Sequence, residues 1–380
     1  MQIEEFSLER IQSLYENTVP LNLSDSGVHP MSLRDILTSE ELEAVQDLEL
    51  GYGWTNGEVS LRETIAALYA DRTADDVIVT NGSAEANFLM VMSLVEPGDE
   101  IVVFTPNYLQ ILGWAKAIGA NVKTIPHDKH RNWLPDLDQL ESQVTAKTRL
   151  ITICVPNNPT GAILSTNQME ELVTIASKYD VYLHADEVYK GSELNSEEPP
   201  SFADLYDKAI VTNGLSKAMA LPGLRIGWLT GPASDIYSAW QRKDYTSITT
   251  TAISEYVAER VLKPALRDRI LNRSKSMLRE NLAVLTDWIV HHPNDVQLIP
   301  PQAGGMAFVE YAAEINSTEL VHTLREEKGI LLLPGDVYGM DGFFRVGIGA
   351  TKDVLREGLD RISDYFASPA YRRLRATAAS

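Results

Sequence analysis

Short apolar runs alternate with helical patterns through the middle of the chain. The runs are Val77–Thr80, Ile101–Phe104, Val122–Ile125, Leu150–Val155, Val181–Ala185, Ala209–Thr212 and Ile226–Thr230. Between them, stretches such as Ala84–Leu94 and Gln168–Lys178 repeat apolar residues with the period of a helix. Nearly continuous apolar strands separated by helices are typical of a parallel sheet that is covered on both faces. We therefore predict an α/β domain with a mostly parallel, seven-stranded sheet.

The pattern changes after about Pro264 and predicts a second, smaller α+β domain. Its predicted elements are a charged helix at Ala265–His291, strands at Gln297–Ile299, Met306–Glu310 and Phe344–Ile348, and helices at Ser317–Lys328 and Lys352–Phe366. We assign residues 46–279 to the large domain and residues 1–45 and 280–366 to the small one. Residues 367–380 are rich in small residues and arginine, and we expect this tail to fray.

Composition and charge limit the classes of partner. The formal charge of −20 argues against nucleic acid or an anionic membrane surface. No apolar run approaches the roughly 18 residues of a membrane-spanning helix. The single cysteine, Cys154, fits a reducing cytoplasm, and the acidic N-terminal sequence MQIEEFSLER does not resemble a secretion signal. We expect a cytoplasmic protein that binds a small molecule and no metal.

The first chemical motif is the segment NGLSKAMALPGLRIGW, which begins at Asn213. Lys217 follows a predicted strand, and Arg225 lies eight residues further on, after a Pro-Gly turn. A lysine amine can condense with an aldehyde, and a guanidinium can hold a phosphate with two parallel hydrogen bonds. The segment resembles the lysine motif of class I and II aminotransferases, in which Ser-Lys precedes Gly-x-Arg-x-Gly. The resemblance implies pyridoxal 5′-phosphate (PLP) fold type I, with PLP on Lys217 as a Schiff base and its phosphate near Ser216 and Arg225.

Three further motifs of that family occur in the expected order. Thr80-Asn-Gly82-Ser83-Ala84 follows a strand and opens a helix, where backbone N–H groups bind phosphate; the alternative is a plain helix cap at Ser83. VPNNPTG resembles the segment in which an asparagine, here Asn158, bonds the phenolic oxygen of the cofactor and the substrate. HADEVY resembles the segment in which Asp186 faces the pyridine nitrogen and Tyr189 the phenolic oxygen.

The resemblance also implies catalytic roles for Lys217 and Asp186. A buried carboxylate keeps the ring nitrogen protonated, so that the ring can accept electrons from a carbanion. Lys217, once displaced by the amine of the substrate, is then placed to move the Cα proton.

Other positions match binding roles in the family. Tyr108 fits the aromatic residue that stacks on the cofactor ring, and the less favoured alternative is a core aromatic residue. Arg345, between apolar strand residues, matches the arginine that grips the α-carboxylate of the substrate. Tyr52 matches the tyrosine that reaches the phosphate of the neighbouring subunit, which implies a homodimer with shared sites. Gly214 departs from the family, which has serine or threonine there, and puts the affinity for PLP in doubt.

The N-terminal segment carries the residues that we expect near the substrate side chain. Its sequence Ser24-Asp25-Ser-Gly27-Val-His29, with Glu9 upstream, resembles capreomycidine synthases and the enduracididine-forming cyclodehydratases of guanitoxin pathways. In those enzymes a hydroxylated arginine loses water and closes its guanidine into a ring. Glu9 and Asp25 are candidate ligands of the guanidinium, while Ser24, Gly27 and His29 would line the pocket. The alternatives are an acidic residue at a helix start for Glu9, a turn cap for Asp25 and a structural role for His29.

We therefore predict a PLP-dependent cyclodehydratase of a hydroxy-L-arginine, with the γ-hydroxy acid and L-enduracididine as the expected pair. An ordinary aminotransferase that uses a 2-oxo acid shares every cofactor residue and remains the main alternative. A non-catalytic regulatory module of the same fold is a remote alternative, which the intact Lys217, Asp186, Asn158 and Arg345 disfavour.

Overall fold

The computed structural model of the chain describes residues 2–195 and 197–378. The strands are β1 (Leu21–Asn22), β2 (Val77–Thr80), β3 (Glu100–Thr105), β4 (Asn121–Asp128), β5 (Leu134–Pro135), β6 (Thr148–Cys154), β7 (Tyr182–Asp186), β8 (Ala209–Gly214), β9 (Gly227–Thr230), β10 (Val296–Leu298), β11 (Met306–Tyr311), β12 (Ile330–Leu331), β13 (Leu333–Pro334) and β14 (Phe343–Gly347). The helices are α1 (Ser7–Tyr15), α2 (Leu33–Ile36), α3 (Ser39–Gln46), α4 (Val59–Ala66), α5 (Ser83–Leu94), α6 (Gln110–Ile118), α7 (Leu137–Gln143), α8 (Thr166–Lys178), α9 (Ala233–Lys243), α10 (Ala252–Val261), α11 (Pro264–His291), α12 (Ser317–Lys328), α13 (Lys352–Phe366) and α14 (Pro369–Ala378).

The seven predicted strands of the large domain pair in one sheet, with the order β2-β9-β8-β7-β6-β3-β4. The two-residue β5 extends this sheet at the β4 edge and runs antiparallel to it. All pairs from β8 to β4 are parallel, whereas β9 runs antiparallel to both β8 and β2. The prediction of a mostly parallel sheet is thus confirmed.

Both faces of this sheet are buried, as the apolar strand sequences require. In β3, Val102 and Phe104 pack into one hydrophobic cluster, while Ile101 and Val103 pack into another. Alternate residues of a strand point to opposite faces, so helices cover the sheet on both sides. This arrangement leaves the carboxyl ends of the parallel strands, and the loops after them, as the place for a ligand.

Helix α8 illustrates how the local sequence determines where a helix that covers the sheet begins and which of its residues are buried. Ser165 accepts a hydrogen bond from the backbone of Gln168, whose side chain accepts one from the Ser165 backbone in return. This reciprocal cap begins the helix. Its buried residues recur at a helical spacing and face the sheet: Met169, Leu172, Ile175 and Ala176.

The smaller unit contains a four-stranded antiparallel sheet with the order β10-β11-β14-β13. Helix α11 has 28 residues, spans about 42 Å, and packs Leu278 and Leu285 into the core of this unit. The N-terminal segment joins the same core through Leu21 and Leu23, and β1 pairs with β12 in parallel. The predicted second α+β unit is therefore present, while the residue limits of the two domains stay a prediction.

The expectation of a frayed tail is wrong for the residues that the structure describes. Pro369–Ala378 forms helix α14, and the Tyr371 side chain is fully buried against Phe366, with ring centroids 4.4 Å apart. Arg375 also pairs with Asp295 at 2.8 Å. Packing of one aromatic residue thus orders a segment whose composition alone indicates disorder; residues 379–380 lie outside the described residues.

Within residues 2–195 and 197–378, every helix is either too short or too polar to cross a lipid bilayer.

Candidate active site

The loops at the carboxyl ends of the strands enclose a cavity of about 260 Å³. This volume lies near the lower end of the range for small-molecule sites, roughly 300 to 1,000 Å³. The cavity is lined by Leu8, Glu9, Gln12, Ser26, Ser83, Ala84, Tyr108, Cys154, Asn158, Asp186, Val188, Tyr189, Ser216, Lys217, Pro222, Arg225 and Arg345. Most of the predicted site residues therefore come together at one place, from segments more than 300 positions apart in the chain.

One end of the cavity is suited to an anion. Helix α5 begins at Ser83, so the N–H groups of its first turn, including those of Ser83 and Ala84, have no carbonyl partner within the helix. The Arg225 guanidinium lies beside them and donates to the Asn81 carbonyl at 3.3 Å. Gly82 adopts a φ of +82°, and a Cβ atom there would come within 2.2 Å of the Arg225 guanidinium. Glycine at this position therefore lets arginine and helix amides face the same small volume.

The departure from the family at Gly214 has a geometric cause. A Cβ atom at Gly214 would lie 2.9 Å from the Ile226 carbonyl oxygen and 3.1 Å from the Gly227 Cα. These are backbone atoms of the neighbouring strand region, which cannot move aside as a side chain does. A serine or threonine hydroxyl is therefore excluded without a backbone shift. Ser216, whose Oγ is 3.5 Å from the Arg225 guanidinium, remains as a side-chain hydroxyl at this end of the cavity.

Asp186 lies at the end of β7, with a side chain that is almost fully buried. Burial raises the pKa of its carboxyl from 3.8 to about 6, against the lowering effect of its hydrogen bonds. The Asn87 amide donates to one carboxylate oxygen at 3.1 Å, and the Val188 backbone donates to the other at 3.2 Å. Among the described residues no charged group lies at hydrogen-bond distance from Asp186, so a cation that enters the cavity there would meet a fixed carboxylate.

Lys217 follows β8 and projects into the cavity. Its Nζ atom donates to Oδ1 of Asp25 at 3.2 Å, and this ammonium group lowers the pKa of Asp25 to about 2. The backbone N–H of Gly27 donates to the same carboxylate oxygen at 2.9 Å. The N-terminal segment thus brings a carboxylate directly to the lysine.

Arg345, in the middle of β14, is 1% exposed and is held only by neutral oxygens. It donates to Asn158 Oδ1 at 2.8 Å, to the Tyr338 hydroxyl at 2.7 Å and to the Ser24 carbonyl. Its charge contributes to the lowered pKa of Asp25, but among the described residues no carboxylate forms a salt bridge with it, and its buried Nε has no hydrogen-bond partner. A buried charge without a directly bonded counter-charge is costly. The arrangement is therefore suited to an incoming carboxylate.

Two tyrosines, Tyr189 and Tyr108, also line the cavity. Tyr189 is buried, and its hydroxyl lies 2.8 Å from that of Ser26. Tyr108 donates to Glu9 at 2.7 Å, and its ring packs edge-on against Phe6. Burial, followed by the nearby Glu9 charge, raises the pKa of Tyr108, so that it remains a neutral donor.

The remaining predicted residues lie at the margin of the cavity or away from it. The Ser24 side chain donates to Asn22 Oδ1 at 2.7 Å, so its hydroxyl supports the segment while its carbonyl contacts Arg345. His29 is exposed and outside the cavity lining. Tyr52 is 88% exposed and borders a separate groove on the surface. In the part of the single chain that the structure describes, no contact supports the predicted roles of His29 and Tyr52, which stay predictions.

The sequence reasoning missed four polar residues around the cavity. Gln12 and Ser26 line it, Asn87 supports Asp186, and Tyr338 contacts Arg345. Gln12 lies one helical turn after Glu9 on α1, so this spacing is a signal that could have identified it. The other three belong to contacts between distant segments and leave no local pattern.

The residues present fit PLP. The amides of α5 with Arg225 suit its phosphate, Asp186 suits a protonated ring nitrogen, and Lys217 suits the aldehyde. Asn158 and Tyr189 line the same cavity, and the family motifs imply that they contact the phenolic oxygen. Each part of the cofactor thus has a chemically matched group in one cavity.

Comparison with known proteins adds an independent line of evidence. The sequence profile of the family described as "Aminotransferase class I and II" matches residues 22–362. The chain is 30% identical to capreomycidine synthase of Streptomyces vinaceus over 366 residues, which cover 94% of this chain and 92% of that protein.

Solved structures agree closely with the fold. A PLP-dependent aminotransferase from Streptococcus suis has a TM-score of 0.91 and 32% identity, and the match covers 98% of this chain and 99% of that one. The PLP-dependent cyclase OrfR has a TM-score of 0.88 and 27% identity, with coverages of 96% and 97%. The sequence identities to the cyclase and to the aminotransferase are thus too similar to distinguish between these two activities for this chain.

Proposed function

Because the chain belongs to the class I and II aminotransferase family and is a PLP-dependent enzyme, we propose that it converts a hydroxy-L-arginine into a cyclic guanidino amino acid. The reaction is loss of water with intramolecular attack of the guanidine, and the expected pair is γ-hydroxy-L-arginine and L-enduracididine. The resemblance predicted from the lysine motif is confirmed at the level of the family.

Two carboxylates of the N-terminal segment, Asp25 and Glu9, carry this proposal. Asp25 contacts the lysine, and Glu9 lies on the cavity wall next to Tyr108. Burial, followed by the charges of Asp25 and Glu9, raises the pKa of the half-buried Glu16 on the same side. This side of the cavity therefore attracts a cation, and a guanidinium can bond carboxylates with paired hydrogen bonds. Similarity to capreomycidine synthase and to the cyclase OrfR supports the same conclusion.

The residues of the chain divide the work as follows. PLP, when bound, supplies an electron sink for the negative charge that forms at the substrate Cα. Arg345 binds the α-carboxylate, and Asp186 keeps the cofactor ring nitrogen protonated. Lys217, freed by the substrate amine, takes the Cα proton and, for a γ-hydroxy substrate, a proton from Cβ. The hydroxyl leaves Cγ as water, a guanidine nitrogen bonds Cγ, and protons return to Cβ and Cα.

Glu9 and Asp25 contribute by positioning. Holding the guanidinium fixes the distance between its nitrogen and the carbon that loses the hydroxyl, which favours closure over attack by water. Full negative charges on Glu9 and Asp25 would stabilise the protonated guanidinium, whereas the attacking nitrogen has to lose a proton. The hydrogen bond from Tyr108 to Glu9 and the contact of Lys217 with Asp25 both moderate these charges.

We also propose a homodimer with shared sites. Leu50, Tyr52 and Trp54 are exposed in one segment, and the Thr249 hydroxyl joins this segment to the loop with the exposed Tyr245. A second copy would cover these aromatic residues, and Tyr52 would reach the phosphate of that copy. Mixing inactive Lys217→Ala and Tyr52→Ala proteins tests this, since a mixed dimer contains one intact site. Recovered activity supports sharing, and none after verified exchange argues against it.

The free, buried Cys154 is consistent with a reducing compartment, and we propose that the enzyme works in the cytoplasm.

Mass spectrometry of the PLP-loaded enzyme with β- or γ-hydroxy-L-arginine, without a 2-oxo acid, tests the reaction. A product lighter by one water that retains its α-amino group supports cyclodehydration, and the accepted isomer identifies the ring. An oxo acid formed only after addition of 2-oxoglutarate would instead assign the chain as an aminotransferase. The 32% identity to the Streptococcus suis enzyme favours this second function. An aminotransferase would use Lys217, Asp186 and Arg345 in the same way.

A further inference from the structure

Tyr338 lies at the junction of two groups that the reaction requires, and no motif of the sequence analysis pointed to it. It ends a short 3₁₀ helix, Gly335–Tyr338, and is 2% exposed. Its hydroxyl accepts a hydrogen bond from Arg345 at 2.7 Å and donates to Asn158 Oδ1 at 3.4 Å. We propose that Tyr338 is a positioning residue, whose hydroxyl fixes both the guanidinium that binds the substrate carboxylate and the Asn158 amide that faces the cofactor.

The first part of the argument concerns Asn158. Its Oδ1 atom receives hydrogen bonds from both Arg345 and Tyr338. Arg345 defines which end of the amide is the oxygen, because a guanidinium can only donate and a flipped amide would turn its NH₂ group towards it, while the Tyr338 hydroxyl adds a second donor to the same oxygen. The NH₂ group must then point away from this pair. Tyr338 thereby helps to keep Asn158 in the orientation in which it can donate to an oxygen in the cavity.

The second part concerns the charge of Arg345. A carboxylate in the place of Tyr338 would hold the guanidinium equally well, but it would neutralise the charge that the substrate needs. The phenol is a neutral acceptor. Burial raises the pKa of Tyr338 even though the Arg345 charge lowers it, so the hydroxyl keeps its proton. Arg345 is thus fixed in place by hydrogen bonds while its full charge remains available.

The third part concerns the Tyr338 ring itself. The ring packs edge-on against Phe308 at 5.8 Å and belongs to a cluster that includes Leu8 of α1. Phe308 and Arg345 are register partners on β11 and β14. The hydroxyl is therefore held by a rigid ring on the same sheet that carries the arginine, and its position does not depend on a flexible side chain.

The Tyr338→Phe variant tests this role because it removes the hydroxyl and keeps the packing. Tyr371→Phe is the matched control: Tyr371 is fully buried, and its hydroxyl has no hydrogen-bond partner among the described residues. A hydrogen bond to a charged group typically affects binding by roughly tenfold or more. We expect PLP-loaded Tyr338→Phe to weaken the binding of L-alanine about tenfold more than it weakens the binding of ethylamine, which lacks the carboxylate.

A spectroscopic readout reports on Asn158 separately. A donor to the phenolic oxygen stabilises the ionised form of that oxygen. Loss of the Tyr338 hydroxyl should therefore raise the pH midpoint of the absorbance change of the bound cofactor, whereas Tyr371→Phe should leave it in place. Melting temperatures of both variants identify any loss of packing.

The proposal rests on the proposed function only for the identity of the carboxylate as that of the substrate. L-alanine and ethylamine carry no guanidine, so the result stands even if the enzyme proves to be an aminotransferase. Equal weakening of both ligands, or behaviour of Tyr338→Phe identical to that of Tyr371→Phe, would overturn the proposal and leave Tyr338 as a packing residue.

Discussion

The Nζ atom of Lys217 lies 3.2 Å from Oδ1 of Asp25, a residue 192 positions earlier in the chain. The lysine expected to carry the cofactor is thus paired with the carboxylate that we propose for binding the substrate guanidinium. In the proposed reaction the ammonium group of Lys217 and the guanidinium would compete for Asp25.

The first prediction concerns attachment of the cofactor in Asp25→Asn. The Lys217 ammonium group donates a hydrogen bond to Asp25 and lowers the pKa of that carboxyl to about 2, and this contact has to break before the amine can attack the cofactor. Only the unprotonated amine condenses with an aldehyde. We expect Asp25→Asn to attach PLP roughly three- to tenfold faster at pH 7, as measured by stopped-flow absorbance with reductive trapping of Lys217.

The control for this variant is Asp47→Asn, which makes the same charge change on the exposed carboxylate that follows α3. If Asp25→Asn attaches PLP no faster than Asp47→Asn, the ion pair between Asp25 and Lys217 does not limit the rate of cofactor attachment.

The second prediction concerns the stability of the cofactor-free protein as pH changes. Burial raises the pKa of Asp186 from 3.8 to about 6, so the folded protein binds this proton more tightly than the unfolded chain. The resulting stabilisation is present below about pH 4 and is lost as pH rises to about 6. A shift of this size corresponds to roughly 3 kcal/mol.

Asp186→Asn removes this dependence and should therefore stabilise the cofactor-free protein at pH 8, with little effect at pH 4. Thermal unfolding of both proteins across this range measures the difference. With PLP bound at pH 8, the unsubstituted protein should instead be more stable than Asp186→Asn. Only the unsubstituted protein has a buried carboxylate that the protonated ring nitrogen can compensate. Parallel pH profiles for the two proteins would contradict the assigned pKa.

The third prediction concerns Asn87, which holds Asp186 through a hydrogen bond of 3.1 Å. In Asn87→Ala the carboxylate loses a neutral donor and its fixed orientation. A hydrogen bond to a charged group contributes about 1.5 to 3 kcal/mol, so PLP should bind at least tenfold more weakly. Equilibrium titration of the cofactor-free protein measures this. Asn121→Ala, at an exposed amide that bonds the Gly98 carbonyl, should leave the affinity unchanged.

The fourth prediction concerns recognition of the guanidinium by Glu9. Glu9→Gln keeps an acceptor for the Tyr108 hydroxyl but removes the charge that attracts a cation. We expect kcat/KM for hydroxyarginine to fall about 10- to 100-fold, with unchanged affinity for PLP. Glu5→Gln, at an exposed residue two positions before the start of α1, is the matched control. Equal kcat/KM values for Glu9→Gln and Glu5→Gln would contradict the prediction and would indicate that Glu9 is only an acidic residue at a helix start.

Much of the fold and the centre of the site could be predicted because they follow from local rules. The seven apolar runs form the sheet, and the loops after parallel strands meet at one edge, which brings Lys217, Asp186 and Asn158 together. These residues also lie in short motifs that can be compared with a family. Their positions depend on the strand ends more than on details of packing.

Tyr338 and α14 were outside the reach of such rules. The hydroxyl of Tyr338 meets Arg345 only because its ring packs between Phe308 and the N-terminal helix, and these contacts join segments far apart in the chain. Composition predicts a frayed tail, but the stacking of Tyr371 on Phe366 outweighs it. In both cases tertiary packing determines the outcome, and no local pattern records it.

Helix α1 separates the choice of substrate from the chemistry. It supplies Leu8, Glu9 and Gln12 to the cavity, and the chain that follows it is fixed to the small domain by β1 and by the buried Leu21 and Leu23. Lys217 and Asp186 belong to other segments. Substitutions on the cavity side of α1 should therefore change which substrate side chain is accepted, while the groups expected to act at the cofactor stay in place.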